Sequence, residues 1–449
     1  MASPTHRRSR ARRRTALFSA AAVVAAGLAA VPFVTSASAA ADLARQTLPA
    51  RDGWAAAGSG TTGGAAADAA RDFTVTNRAE LAKALSAPGT APRIIRVKGL
   101  IDANGGSTCA DYAAGTGYSL SAYLKAYDPA VWGRSKKPSG TQEDARKAAA
   151  ARQAKNIVFR VPSHTTLVGV PGTGAGIKGG SVAVQNADNV IIRNLAFSAT
   201  EDCFPQWDPT DGSKGEWNSA YDSVTLRGAT HVWADHNTFT DTPLHDSALP
   251  AYFGRKYQVH DGALDITNGS DLVTVERNVF HSHDKTMLIG SSDTDSVGKL
   301  RVTLHHNVFR GITQRAPLAR IGQIHLYNNH YDTAKVNGYA HSYSVNARAR
   351  AQIVAEYNAW TLSSDRKVSQ LLSGDGTGAV AGRGNTVDGA VTDVVAAYNA
   401  SASKKLKTTV NWTPALTAGL QTSAAALPAE LDRTAGAGVL TQQGTTTRR

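Results

Sequence analysis

Residues 314–320 read QRAPLAR, which sets Arg315 and Arg320 five positions apart around Pro317. In an unbroken strand, residues an odd number apart face opposite ways. If both cations serve one site, the backbone bends between them, and Pro317 supplies the break. Upstream, Asp222 closes EWNSAYD (216–222), and Asp261 and Asp265 flank DGALD. In a straight strand Asp261 and Asp265 would lie about 13 Å apart, too far to share an ion. Gly262 between them allows a bend. Three clustered aspartates repel one another without a cation, and oxygen-only ligands favour calcium over zinc or copper. Lys285 follows in HDKTMLIGSSD (283–293). Taken singly, these are turn aspartates, a loop lysine and solvated arginines. Only a fold that gathers them makes a site.

The elements that could gather them repeat. VIIRNLAF (190–197), VWADHNTF (232–239), VTVERNVF (273–280), VTLHHNVF (302–309), IHLYNNHY (324–331) and IVAEYNAW (353–360) are each an alternating, β-branched run ending in asparagine and an aromatic. The alternation predicts strands. Recurrence at roughly 22 residues, with longer variable insertions, predicts a solenoid. Asn194, Asn237, Asn278, Asn307, Asn329 and Asn358 would then stack at one corner, each amide satisfying the next. Leucine-rich repeats lack their signature here, and propeller blades need more even periods. The best fit is an all-β, right-handed parallel β-helix with long loops. Asn77 and Glu80 predict a capped helix through LAKAL (81–85) that covers the first coil. Residues 141–153 predict a second, exposed helix in a loop. GVPGTGAGIKGG (169–180) lacks the Lys-Ser/Thr of a phosphate loop and is expected to form turns between coils.

The first 39 residues are expected to be a signal peptide. Six arginines precede an apolar stretch from Ala16 to Phe33, and Ala37-Ser38-Ala39 supplies the cleavage pattern. The paired arginines suit the general or the twin-arginine route. Residues 40–449 remain as the domain, with no later segment fit to cross a membrane. Losing a leader with six arginines and no acid lowers the formal net charge from +13 to +7. A moderately basic exported chain suits a polyanionic partner, without charge alone choosing among nucleic acid, acidic polysaccharide and anionic surface. The lone pair Cys109 and Cys203 is expected to form one disulfide. His281, His283, His305 and His306 invite a zinc reading, but no zinc-specific spacing supports it.

The runs EDCFPQWDPTDGSKGEWNSAYDSVTL (201–226), VWADHNTF, GRKYQVHDGALDITNGSD (254–271), HDKTMLIGSSD, LRVTLHHNVF (300–309) and QRAPLARIGQIHLYNN (314–329), in this order, resemble the pectate lyases of polysaccharide lyase family 1. The likeness runs from about Leu48 to the NWTPAL segment near the C-terminus. It implies the same right-handed parallel β-helix. It also implies calcium on Asp222, Asp261 and Asp265, with Asp211 helping to hold a further calcium when substrate is bound. Arg315 matches the catalytic base, and Lys285 and Arg320 match the residues that hold the substrate carboxylate. Leu318-Ala319 departs from many relatives, which carry another cation there.

The implied activity is that of a secreted, extracellular, calcium-dependent enzyme acting on pectate, the α-1,4-linked polygalacturonate. It cleaves by β-elimination and leaves 4,5-unsaturated oligogalacturonides. A polysaccharide rather than nucleic acid or a membrane is the expected partner, and the resemblance implies a monomer. A guanidinium acts as base only when neutral, so an alkaline optimum is expected. Pectin lyases, which take methyl-esterified chains without calcium, are the near alternative, although here all three aspartates and Lys285 are present. A non-catalytic β-helix binding acidic polysaccharide, and a hydrolase with paired acid and base carboxylates, are the others.

Overall fold

Alternating β-branched runs wind into coils of three strands each, and equivalent strands of successive coils pair in parallel. The computed structural model describes Met1, residues 42–295 and 298–442, and Thr445. The leader expected over 1–39 lies, Met1 apart, outside the described residues. The first sheet has ten strands, from Asp72–Val75 to Ala379–Arg383, and holds the first half of each repeated run. The second has eight, in chain order Val158–Arg160, Ser181–Gln185, Val224–Arg227, Leu264–Thr267, Leu288–Ile289, Leu318–Arg320, Val345–Arg348 and Leu372–Gly374. The third has ten, of which only the last, Ala390–Val391, pairs antiparallel. Each coil passes from the first sheet through the third to the second. This is a parallel β-helix, as the repeats predict.

The repeated asparagine and aromatic explain the stacking. Asn237 Nδ2 donates to Asn278 Oδ1 at 3.0 Å, Asn278 to Asn307 at 3.0 Å, Asn307 to Asn329 at 3.0 Å, Asn329 to Asn358 at 2.9 Å and Asn358 to Asn385 at 3.1 Å. Each accepting Oδ1 also takes the main-chain N–H of that same preceding asparagine, so buried polar groups are satisfied at every corner. Asn194 is not a rung of this ladder. Register pairs Arg193 with Asp235, which sets Leu195 opposite Asn237, and Asn194 instead donates to Gly169 O. Asn385 takes the far end. Two positions on, Phe197, Phe239, Phe280, Phe309, Tyr331 and Trp360 stack inside the coil with centroids 4.7–5.1 Å apart.

The predicted cap forms as Arg78–Leu85, with Asn77 Oδ1 accepting from Glu80 N at 3.0 Å and Glu80 Oε2 accepting from Thr76 N at 2.7 Å. Leu81, Ala84 and Leu85 bury against the first coils. The second helix runs longer than expected, Thr141–Ile157, and is not wholly exposed. It buries Glu143, Arg146, Ala149 and Gln153, and Arg146 Nη1 donates to Phe204 O at 2.8 Å. The glycine-rich stretch 169–180 forms turns around one further strand, Gly176–Lys178. Cys109 and Cys203 are joined, their Cα atoms 5.3 Å apart, tying the helix Cys109–Ala113 to the loop ahead of Asp222. Among the described residues no helix is long and apolar enough to cross a membrane.

Candidate active site

Where each coil turns from the third sheet into the second, the sequence-selected residues fall into a column. Asp222 precedes the strand Val224–Arg227, and Val224 pairs with Leu264, so Asp222 stands level with Gly262. Gly262 bridges to Lys285, the last residue of the strand Val279–Lys285. Lys285 pairs with Gln314, next to Arg315. Adjacent rungs lie about 4.8 Å apart, so residues distant in sequence become neighbours.

The acids converge around a missing side chain. Gly262 N donates to Asp222 Oδ1 at 2.8 Å, and Thr225 Oγ1 donates to Asp222 Oδ2 at 2.6 Å. Leu288 N donates to Asp265 Oδ1 at 2.9 Å. A Cβ added at Gly262 would lie 2.4 Å from Asp265 Oδ1 and 2.7 Å from Asp222 Oδ1. Gly262 is therefore needed for space. Its backbone does not take the left-handed conformation that favours glycine. Asp261 lies at the rim, its Oδ1 3.5 Å from Lys285 Nζ.

Burial, and then the charge of Asp261, push Asp222 up to about 6. Burial, followed by Asp222 and Asp261, raises Asp265 well above the usual carboxylate range against the opposing pull of the Leu288 amide and Arg315. Hard oxygen donors crowded this way, with Lys285 at the rim, fit a divalent cation of the calcium type. Asp211 lies at the exposed turn between Gln206–Asp208 and Glu216–Asn218, where its amide donates to Asp208 O at 3.3 Å.

The two arginines of QRAPLAR share one face because the chain does break between them. Arg315 leaves the strand Val308–Gln314 with φ +62°, a conformation uncommon for a branched-free but bulky side chain, and Ala316-Pro317 is a cis peptide. The strand Leu318–Arg320 then starts in the second sheet. Arg315 O accepts from Met287 N at 2.6 Å and Ala316 N donates to Ser344 O at 2.7 Å, which fixes the turn on both sides. Arg315 Nε is buried without a hydrogen-bond partner. Arg320 donates to Gly290 O at 3.1 Å and meets Asp293 at 3.1 Å. Burial, then the like charges of Arg348 and Arg315, lower the Arg320 guanidinium from its ordinary value, with Asp293 opposing.

Around Arg315 lies a set of side chains the sequence did not single out. Asp284 accepts from Gln258 Nε2 at 3.0 Å and Gln314 Nε2 at 3.1 Å, and Tyr343 OH donates to Gln314 Oε1 at 3.2 Å. The Tyr343 hydroxyl is also turned toward Asn346 and Arg315. Asp284 and Gln314 are sequence neighbours of Lys285 and Arg315, but nothing short of the coil register pairs them. The histidines read for zinc occupy separate places. His283 Nδ1 lies 2.5 Å from Asp241 Oδ1, in the third sheet, while His305 and His306 face each other at 2.9 Å at the end of a first-sheet strand.

Fold and column together define a parallel β-helix protein with cations and carboxylates gathered on one corner. Comparison with known proteins gives the family. The family described as pectate lyase matches residues 20–121 and 137–438. The pectate lyase of Bacillus subtilis (strain 168) is 44% identical over 396 residues, spanning 86% of this chain and 91% of its own. Pectate lyase E of Dickeya dadantii (strain 3937) is 36% identical over 352 residues, spanning 77% and 76%. A solved pectate lyase bound to hexasaccharide superposes with a TM-score of 0.83 at 41% identity, covering 89% of this chain and 99% of that one. The pectate lyase of Acidovorax avenae subsp. citrulli does so with a TM-score of 0.81 at 32% identity, covering 93% and 100%. The chain belongs to the pectate lyase family, as its motifs imply.

Proposed function

We propose that this chain is exported behind a leader over residues 1–39 and acts, with calcium, as a lyase on unesterified α-1,4-polygalacturonate, releasing 4,5-unsaturated oligogalacturonides. The observation that carries the reading is the column itself: Asp222, Asp265 and Asp261 on one side, Lys285 next, and Arg315 with Arg320 on the following rung. A solved relative described as bound to a hexasaccharide supports an oligosaccharide in the corresponding groove.

In this reading Lys285 and Arg320 hold the carboxylate of the sugar to be cleaved. Arg315, neutral at alkaline pH, takes the proton from C5. The C5–H electrons form the C4–C5 double bond, the C4–O bond breaks, and the bridging oxygen leaves with that electron pair and takes a proton from solvent. Loss of the C5 proton loads negative charge beside a group already charged, so fixed cations aimed there lower the barrier. Calcium held by Asp222, Asp261 and Asp265, and by Asp211 at a further position, would add positive charge against the same carboxylate. The Asp284–Gln314–Tyr343 chain orients the turn that carries Arg315.

The test is one assay. The purified chain, given polygalacturonate and calcium in mildly to strongly basic buffer, is expected to generate absorbance at about 235 nm from the conjugated product of C5 proton loss. A chelator is expected to abolish it. Activity that survives chelation and prefers methyl-esterified substrate would replace this reading with a pectin lyase. Saturated products would replace it with a hydrolase, and no products at all with a binding protein.

A further inference from the structure

Of the three aspartates at the carboxylate cluster, only Asp265 lies within a paired strand, Leu264–Thr267. Asp222 and Asp261 come ahead of their strands, on the loops that lead into them. One buried residue ties those two loops together. Asp202, 2% exposed, accepts from Ala220 N through Oδ2 at 3.0 Å, two residues before Asp222. Its main-chain N donates to Val259 O at 2.8 Å, two residues before Asp261. Ser219 Oγ donates to the same Val259 O at 3.0 Å, so the loops also meet directly behind the cluster. Asp202 Oδ1 accepts from Phe204 N at 2.8 Å, which fixes its own turn. That turn rests on the helix Thr141–Ile157, where Gln153 Nε2 donates to Glu201 O at 2.7 Å and Gln153 Oε1 accepts from Cys203 N at 3.0 Å. The disulfide from Cys203 to Cys109 holds its outer side.

We propose that Asp202 is a positioning residue for the calcium site, setting the spacing of Asp222 and Asp261 from behind the ion. The role rests on the calcium-dependent function proposed above. Crowded carboxylates repel one another until a cation is bound, and the two on loops are the ones able to give way. A tether made beforehand keeps them at binding distance, and groups that hold metal ligands in place govern metal affinity for this reason. Both carboxylate oxygens of Asp202 are engaged by main-chain amides, so it acts through the loops it holds. Burial pushes its carboxyl up to about 6 against the pull of those amides and Arg146, and Asp261 is near enough to add to the rise. It is therefore ionised, and accepts from both amides, across the alkaline range of the proposed reaction.

Titration calorimetry with calcium alone tests this in the wild-type chain, Asp202→Ala and Asp202→Asn, with the melting temperature in chelator measured beside it. Asp202→Ala is expected to weaken calcium binding about tenfold. Asp202→Asn keeps one accepting oxygen but turns an amide group against the other N–H, so it is expected to lie between, about threefold weaker than wild type. The calcium concentration for half-maximal formation of unsaturated product rises by the same factors, while kcat at saturating calcium stays within about threefold. A residue that only supports the fold would lower the melting temperature and leave calcium affinity at the wild-type value in both variants, and that result overturns the proposal. A loss of kcat that saturating calcium does not restore also overturns it. Should Asp202→Ala fail to fold, Asp202→Asn decides alone, and an unchanged affinity there overturns the role. A wild-type chain that binds no calcium overturns the calcium reading and this role together, whereas a calcium-binding wild type with an indifferent Asp202 overturns this role alone.

Discussion

Arg315 is held from both sides, by its carbonyl on Met287 N and by the following amide on Ser344 O, while its Nε meets no hydrogen-bond partner. Side chains held this way can be removed without collapsing the turn. Arg315→Ala is therefore expected to lower kcat by about 10²–10⁴-fold, the usual yield of a positioned base, with the melting temperature nearly unchanged. Retention of most activity would take Arg315 out of the base role. Gly262→Ala makes the complementary point. The new methyl would press on Asp222 and Asp265 together, so calcium is expected to bind about tenfold more weakly, read by calorimetry, even if the coil absorbs the strain. Unchanged calcium affinity would mean the trio does not hold the ion. The types Asp222, Asp265, Lys285 and Arg315 were legible in the sequence because charged residues in apolar repeats stand out. The reason for Gly262 was not, since a collision between neighbouring rungs has no local signal.

At the scale of the strand and its corner, the asparagine ladder makes each coil depend on the next. Asn307 is fully buried, accepts from Asn278 Nδ2 and N, and donates to Val275 O and Asn329 Oδ1. Asn307→Ala strands donors and acceptors on both flanking rungs and is expected to cost about 1–3 kcal/mol, measured by denaturant unfolding. A neutral substitution would show that the ladder is a consequence of stacking and not a cause. Repeat period and aromatic position identified these elements well. Asn194 was misread because its run carries asparagine one place early, and only strand pairing separates it from Leu195. The helix Thr141–Ile157 was taken as exposed because its alanine-rich pattern is weakly sided, yet Arg146 and Glu143 meet at 2.8 Å beneath it.

Across the molecule, the N-terminal segment is pinned to the outside of the first sheet by a buried charge cluster. His305 Nε2 lies 3.3 Å from Asp52 Oδ1 and 3.1 Å from Glu276 Oε2. Burial, and then Asp235, push Glu276 up to about 8, and burial, then Glu276, push Asp52 up to about 7. Burial pulls His305 down to about 4 from 6.5. A carboxyl raised on folding contributes stability that is whole below its ordinary pKa and is lost as pH rises through the folded value. A histidine lowered on folding loses its contribution as pH falls from 6.5 toward about 4, so between 6.5 and about 8 the acids alone set the slope. The melting temperature is thus expected to fall from pH 6.5 to about 8, and less steeply in Glu276→Gln. Parallel slopes would show that Glu276 is already ionised in the fold. An alkaline working range would place the enzyme where this brace is weakest.

Period, residue type and punctuation lie along the chain, so a reader of the chain alone reaches the coil, its capped end, the cysteine pair and the charged residues on which the chemistry turns. Which side chains share a rung depends on loops of unequal length between the strands, and no local pattern counts those loops. Coil register therefore decided that Asn385 and not Asn194 completes the ladder, and that Asp284, Gln314 and Tyr343 surround Arg315.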